Sequence, residues 1–139
     1  MTNKYLTDRV ALQDVMLSYA AGVDDRNYEL YASCFCDDLE VFNFGPEPYH
    51  GKAAWLEYVW SALEKYNSSQ HMLGPQLATI EGDIAHTRND LQALHYFKEG
   101  EHDRFILWAT YLTDMKRVDG EWKIFRHELV TRGTELISR

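Results

Sequence analysis

The feature that most restricts the fold lies in the second half of the chain. From Ser69 onward the residues form long runs rich in β-branched and aromatic side chains, broken only by the turn signals "EGD", "KEGEHD" and "VDGEW". Such runs read as strands, and the punctuation delimits four of them: roughly Gln70 to Ile80, Ile84 to Phe97, Arg104 to Arg117 and Trp122 to Thr131. Asp119-Gly120, between the last two, is a strong two-residue hairpin signal. Long consecutive strands joined by hairpins predict an antiparallel sheet.

The first half reads differently. From Leu6 to Val23 the apolar residues Val10, Leu12, Val15, Met16, Tyr19, Ala20 and Val23 recur mainly at three- and four-residue steps, the pattern of an amphipathic helix. A short second helix is expected over about Tyr28 to Phe35, with Asn27 as its N-cap. "LEVFNFG" gives a strand over 39–44, and "EPYHG" ends another short one. Gly51 then opens a third helix that carries Trp55, Val59 and Leu63 on one face. Helices first and strands afterwards make an α+β plan, a single domain over residues 1–139 in which a curved sheet wraps around helices. A bent sheet closed by a helix leaves a cone-shaped hollow suited to a small apolar ligand.

Charge narrows the choice of partner. A formal net charge of −8 argues against a nucleic-acid groove or an anionic membrane surface, since both need clustered Lys and Arg. The first residues lack the basic start, apolar core and cleavage site of a signal peptide, and no apolar run approaches the ~20 residues of a spanning helix. A soluble, cytoplasmic protein is expected. Cys34 and Cys36 are too close in sequence for an ordinary disulfide and lack the other ligands of a zinc site, so they read as reduced thiols in or near the core.

One stretch calls for a chemical explanation. In "SYAAGVDDRNYELYASCF", residues 18–35, the first helix runs into two aspartates, Asp24 and Asp25, where the helix dipole already places negative charge. A donor from another element would stabilise one of them, and His71, at the start of the first long strand in "SSQHMLG", is the best-placed candidate. An imidazole with one nitrogen held by a buried carboxylate has its other nitrogen oriented and its cation favoured, which makes it a general base. Taken alone, either residue has an ordinary reading: a solvated loop for the aspartates, a core or surface position for the histidine.

Tyr19 is either core or a proton donor at the cavity wall. Arg126 and His127 have opposite facing on their strand, so one of them should look into the hollow. His95 sits in a strand, His50 at a turn, His86 near a strand start and His102 in the charged "KEGEHDR" loop. Their spacing matches no metal site, and no phosphate loop, GxSxG elbow or CxxC pair is present, so neither metal nor cofactor is expected.

The combination of "YAAGVDDRNYELYASCFCDDLEVFNFG", "YHGKAAWLEYV", "SSQHMLG" and "VDGEWKIFRHEL" resembles the SnoaL-like members of the nuclear transport factor 2-like superfamily. The similarity runs to the branch containing scytalone dehydratase, bile acid 7α-dehydratase and lindane dehydrochlorinase. It covers nearly the whole chain, and the combination is more specific than any one motif. It implies a cone-shaped barrel with a strongly curved, mixed but mostly antiparallel sheet around N-terminal helices. It also implies an aspartate at the end of the first helix paired with a histidine on the sheet, which selects Asp24 over Asp25 and matches it to His71.

The branch members differ at the neighbouring positions. Tyr19 stands where the dehydrochlorinase has a lysine, and Arg126 lies one position from its arginine, near His127. The two water-holding tyrosines of scytalone dehydratase become Val23 and Asn43, its asparagine falls at about Tyr111, and a histidine near His95 is kept. Bile acid dehydratase shares a tyrosine five residues before the aspartate. The resemblance implies a cofactor-independent lyase of dehydratase type, or an isomerase, acting on a small apolar cyclic or polyketide-like molecule. Asp24, His71 and Tyr19 would carry the chemistry, and His95, Tyr111, Asn43, Val23, Arg126 and His127 would contact substrate. Two alternatives accompany it: a non-catalytic ligand-binding or assembly module, and a proton shuttle using a carboxylate on the sheet, for which Asp90 is the candidate. Large residues on both faces of the strands, such as Phe105, Ile106, Leu107 and Trp108, predict a homodimer or homotrimer.

Overall fold

The computed structural model describes residues 2–100 and 103–138; His102 lies outside them. Helix α1 runs from Asn3 to Asp24, α2 from Tyr28 to Ala32 and α3 from Lys52 to Leu63. The strands are β1 (Phe35–Phe42), β2 (Tyr49–His50), β3 (Tyr66–Leu73), β4 (Leu77–Glu81), β5 (Ile84–Phe97), β6 (Arg104–Val118) and β7 (Glu121–Ile137). They form one mixed sheet in the order β2-β1-β7-β6-β5-β3, with β4 also on β5. Among the described residues only the β1–β7 pairing is parallel. This is the expected α+β arrangement, a mostly antiparallel sheet with the helices packed on it.

Local chemistry accounts for most of the boundaries. Thr2 caps α1 by accepting from the backbone N–H of Tyr5, and Asn27 caps α2 by accepting from Leu30. Asp25 is the exposed C-cap of α1, and Arg26 follows it in the left-handed region at φ 54°. Gly22 is required where α1 meets α2, because a Cβ there would stand 2.8 Å from the backbone nitrogen of Tyr31. Asp119 and Gly120 both have positive φ, as the tight turn between β6 and β7 demands.

Three expectations are corrected. The second helix ends at Ala32 and Phe35 already belongs to β1. The run from Gln70 to Ile80 is two strands rather than one, broken at Gly74-Pro75-Gln76, where Pro75 has no N–H to give a ladder. Val10, counted on the apolar face of α1, is 57 % exposed. The core instead uses Leu12, Met16, Tyr19 and Val23 of α1 and Trp55, Leu56, Val59 and Leu63 of α3, packed on inward residues of β1, β5, β6 and β7. Cys34 and Cys36 are buried and free, and burial pushes the Cys34 thiol up to about 12.

Candidate active site

The helical layer stands away from part of the sheet and leaves a cavity of about 850 Å³. Aromatic rings line much of its wall, among them Tyr19 from α1, Tyr31 from α2, Trp55 and Tyr58 from α3, and Phe105 and Tyr111 from β6. His71 and His95 bring imidazoles to the same wall, their ring centroids 5.5 Å apart.

Alternation along β3 sets the chemistry. Ser69, His71 and Leu73 face inward while Gln70 and Met72 are exposed, so a serine and a histidine two residues apart share one face. The last residue of α1 reaches them. Asp24 Oδ2 accepts from the backbone N–H of His71 at 2.7 Å, and Oδ1 accepts from Ser69 Oγ at 3.0 Å and contacts His71 Nδ1 at 2.8 Å. A carboxylate can only accept, so Nδ1 carries the proton. Nε2 has no protein partner among the described residues and remains a lone-pair base. Both side chains are shielded, 17 % exposed for Asp24 and 10 % for His71. Burial raises the pKa of Asp24, but the His71 side chain, by its hydrogen bond and by its charge whenever the ring is protonated, the His71 backbone N–H and the Ser69 hydroxyl outweigh it and hold the carboxyl below its ordinary range.

Arg26 supports this arrangement from behind. Its Nη1 donates to the carbonyl of Val23 at 2.6 Å and to Ser69 Oγ at 2.9 Å, leaving the Ser69 proton directed at Asp24. The second aspartate takes no part, since Asp25 points to solvent.

His95 is held differently. Its Nδ1 donates to the carbonyl of Phe105 at 3.2 Å, and burial, helped by nearby His71, pushes its pKa down to about 4. It faces the cavity as a neutral ring with an unprotonated Nε2. Val23 and Tyr111 also line the cavity, and Asn43, exposed and at φ 70°, stands at its rim. Tyr19 is on the wall, but its hydroxyl lies 3.0 Å from Nε2 of His127.

Two expected contacts are not in the cavity. Arg126 projects from the other side of β7, its guanidinium 4.6 Å from the Phe42 ring centroid and paired with Glu128 at 3.0 Å. His127 points inward but is wholly buried behind the aromatic lining. The cause is a bulge: Asp114 pairs with Arg126 and Met115 with Ile124, so Phe125 is extra and the facing reverses after it. Asp90 is exposed on the outer face and bonded to Thr110 and Arg88, which removes the carboxylate that the proton-shuttle alternative required. Sequence reasoning missed Ser69, Arg26, Tyr31 and Trp55. Only Ser69 carried a local signal, its two-residue offset from His71.

No group of three or more His, Cys, Asp or Glu among the described residues is arranged to hold a metal ion. No helix among them is long and apolar enough to cross a membrane.

Residues 4–128 match the family model for the SnoaL-like domain. The chain belongs to that family. Among SnoaL-like and related proteins, hexachlorocyclohexane dehydrochlorinase 1 of Sphingobium indicum is 28% identical over 121 residues, 86% of this chain and 78% of its own length. A structure from Novosphingobium aromaticivorans, a candidate scytalone dehydratase, superposes with a TM-score of 0.89 at 25% identity, covering 97% of this chain and 91% of that one. The type 3 hexachlorocyclohexane dehydrochlorinase of Novosphingobium barchaimii gives 0.85 at 24% identity, covering 96% and 92%. The last likeness is one of fold. In this SnoaL-like chain the cavity, the aspartate and the two imidazoles meet at the helix–sheet junction.

Proposed function

We propose that this protein is a cofactor-independent lyase of dehydratase type, or an isomerase, that begins its reaction by taking a proton from carbon in a small, largely apolar cyclic substrate. The observation that carries the reading is the Asp24–His71 pair: a carboxylate 2.8 Å from Nδ1 of an imidazole whose free Nε2 belongs to a cavity-lining ring. The names of the dehydrochlorinase and of the candidate dehydratase, both eliminations, support the same class.

In this reading Nε2 of His71 removes a proton next to a carbonyl, and Asp24 stabilises the imidazolium that forms. In elimination the C–H electron pair becomes the new π bond while the leaving group departs with its own pair. A departing hydroxyl takes the proton from the imidazolium and leaves as water. In isomerisation the same proton returns to a different carbon. Tyr19 donates toward the oxygen on which charge develops, and the apolar walls keep water from competing. Asn43, Val23, His95 and Tyr111 shape the space the substrate occupies.

The test separates proton abstraction from the identity of the substrate. The protein is incubated with 1-tetralone in D₂O, and loss of the α-hydrogen signal is followed by NMR; a panel of cyclic β-hydroxy ketones is followed by ultraviolet absorbance for the conjugated alkene. Exchange or elimination well above buffer, abolished by His71→Ala in a folded protein, is expected. A His71→Ala variant that is as fast as the wild type, or a wild-type protein no faster than buffer on either assay, refutes it.

A further inference from the structure

Charge is unevenly placed around the cavity. No aspartate or glutamate among the described residues lines it, and, histidines aside, Lys65 is the one charged side chain on its wall. Lys65 follows the C-cap of α3 and is exposed, so it stands at the mouth. Its Nζ lies 5.2 Å from the centroid of the Tyr66 ring, another lining residue, and the ring's negative face favours an ammonium there. No carboxylate among the described residues pairs with it. Glu64, next in the chain, and Lys98, whose backbone N–H donates to the Lys65 carbonyl at 3.0 Å, are both exposed, lie off the wall and are opposite in charge. The mouth therefore carries an ammonium with no counter-ion on a chain of net charge −8.

A line of rings leads inward from that ammonium to the base. The Tyr66 ring centroid lies 4.7 Å from that of His95, and the His95 centroid lies 5.5 Å from that of His71. A flat guest lying along this wall has one end at His71 and the other beside Lys65. The two ends are not equivalent for an anion. His95 is neutral at pH 7, because burial pushes its pKa down to about 4, and the aromatic residues beyond it carry no charge. A carboxylate carried inward would lose its water without gaining a cation, which is costly, whereas at the mouth it keeps part of its hydration and meets Lys65.

We propose that Lys65 is a specificity-determining residue, and that the substrate is a cyclic acid with its carboxylate at the end remote from the reacting carbon, entering ring-first and leaving its anion at the mouth. The inference rests on the reading of this cavity as the substrate site, and it narrows the substrate class. The ion pair is partly exposed, so it adds little affinity. Its larger effect is on orientation: an anion that stays outside decides which end of an otherwise apolar guest reaches Nε2 of His71.

The test compares two ligands of one shape on the full-length protein. NMR titrations at low salt measure the affinity of 1-tetralone-6-carboxylate, whose anion is on the ring position farthest from the ketone, and of 1-tetralone-6-carboxamide, its neutral counterpart. The acid should bind about threefold more tightly, as a partly exposed ion pair implies. Salt at about 1 M should erase that preference in the wild type by screening, and Lys65→Gln should erase it at low salt. Equal affinity, tighter binding of the amide, binding of neither, or a preference that survives the salt or a folded Lys65→Gln variant overturns the proposal. Exchange of the α-hydrogens of both compounds in D₂O reads the base separately. Preference for the acid without exchange would refute the Asp24–His71 reading and leave the role of Lys65 standing. Exchange without preference would do the reverse.

Discussion

Replacing Asp24 by asparagine keeps the side chain's shape and removes its charge, and the surrounding bonds decide the outcome. The wild-type carboxylate accepts from the His71 backbone N–H at 2.7 Å, from Ser69 Oγ at 3.0 Å and from His71 Nδ1 at 2.8 Å. The backbone N–H cannot change its role, so the amide oxygen stays with it and the NH₂ turns to Ser69 and Nδ1. That NH₂ donates to Nδ1 and drives the ring proton onto Nε2, the nitrogen needed as base. The imidazolium also loses its counter-charge. Removing one member of a shielded charge pair costs about 3–5 kcal/mol, which at about 1.4 kcal/mol per decade is a loss of roughly 10²- to 10⁴-fold in rate. The assay is the deuterium-exchange rate of 1-tetralone with wild type and Asp24→Asn at equal concentration. Circular dichroism and a melting temperature within a few degrees of wild type show that the retained backbone bond has kept the fold. A folded variant that loses less than tenfold would refute the reasoning, because neither the tautomer nor the counter-charge would then matter to the slow step.

Other consequences are open to measurement. Ser69→Ala removes one of the donors that hold the Asp24 carboxyl low, so its midpoint in a ¹³C carboxyl NMR titration should rise toward the ordinary range; an unmoved midpoint would show that Ser69 and Arg26 are bystanders. Gly22→Ala drives a methyl to within 2.8 Å of the Tyr31 backbone and should cost about 1–3 kcal/mol, seen as a lower melting temperature; an unchanged melt would mean that the α1–α2 contact is slack. His95 and His127 have folded pKa values of about 4 and about 3, below the 6.5 of a free imidazole. The unfolded chain therefore takes up protons that the folded one refuses. The stability is fully present above pH 6.5 and is lost as pH falls toward those values, at a rate approaching two protons, about 2.5 kcal/mol per pH unit near pH 5. Urea titrations between pH 7.5 and 4.5 measure that slope, and a flat profile would contradict the burial of both rings.

The parts of this molecule that could be read in the sequence are those fixed by short-range periodicity. Turn signals after β4, β5 and β6 bounded the long strands because glycine and aspartate adopt conformations that strand residues avoid; a helix end that lacked a reason for its charge suggested an aspartate–histidine pair, and the family resemblance selected Asp24 and His71 for it. Facing on β7 could not be read. The bulge at Phe125 exchanges the roles of Arg126 and His127, yet no glycine or proline marks it, and the register shift exists only relative to β6. The cluster of tyrosines on the cavity wall was hidden for a stronger reason. Tyr19, Tyr31 and Tyr111 come from α1, α2 and β6, and His127 and Trp55, which contact the first two hydroxyls, come from β7 and α3, so no helical or strand period brings two of the five together. Each taken singly looks like core. What sets them apart is their contacts, His127 with the Tyr19 hydroxyl and Trp55 with that of Tyr31, and those exist only once the fold has brought the residues together.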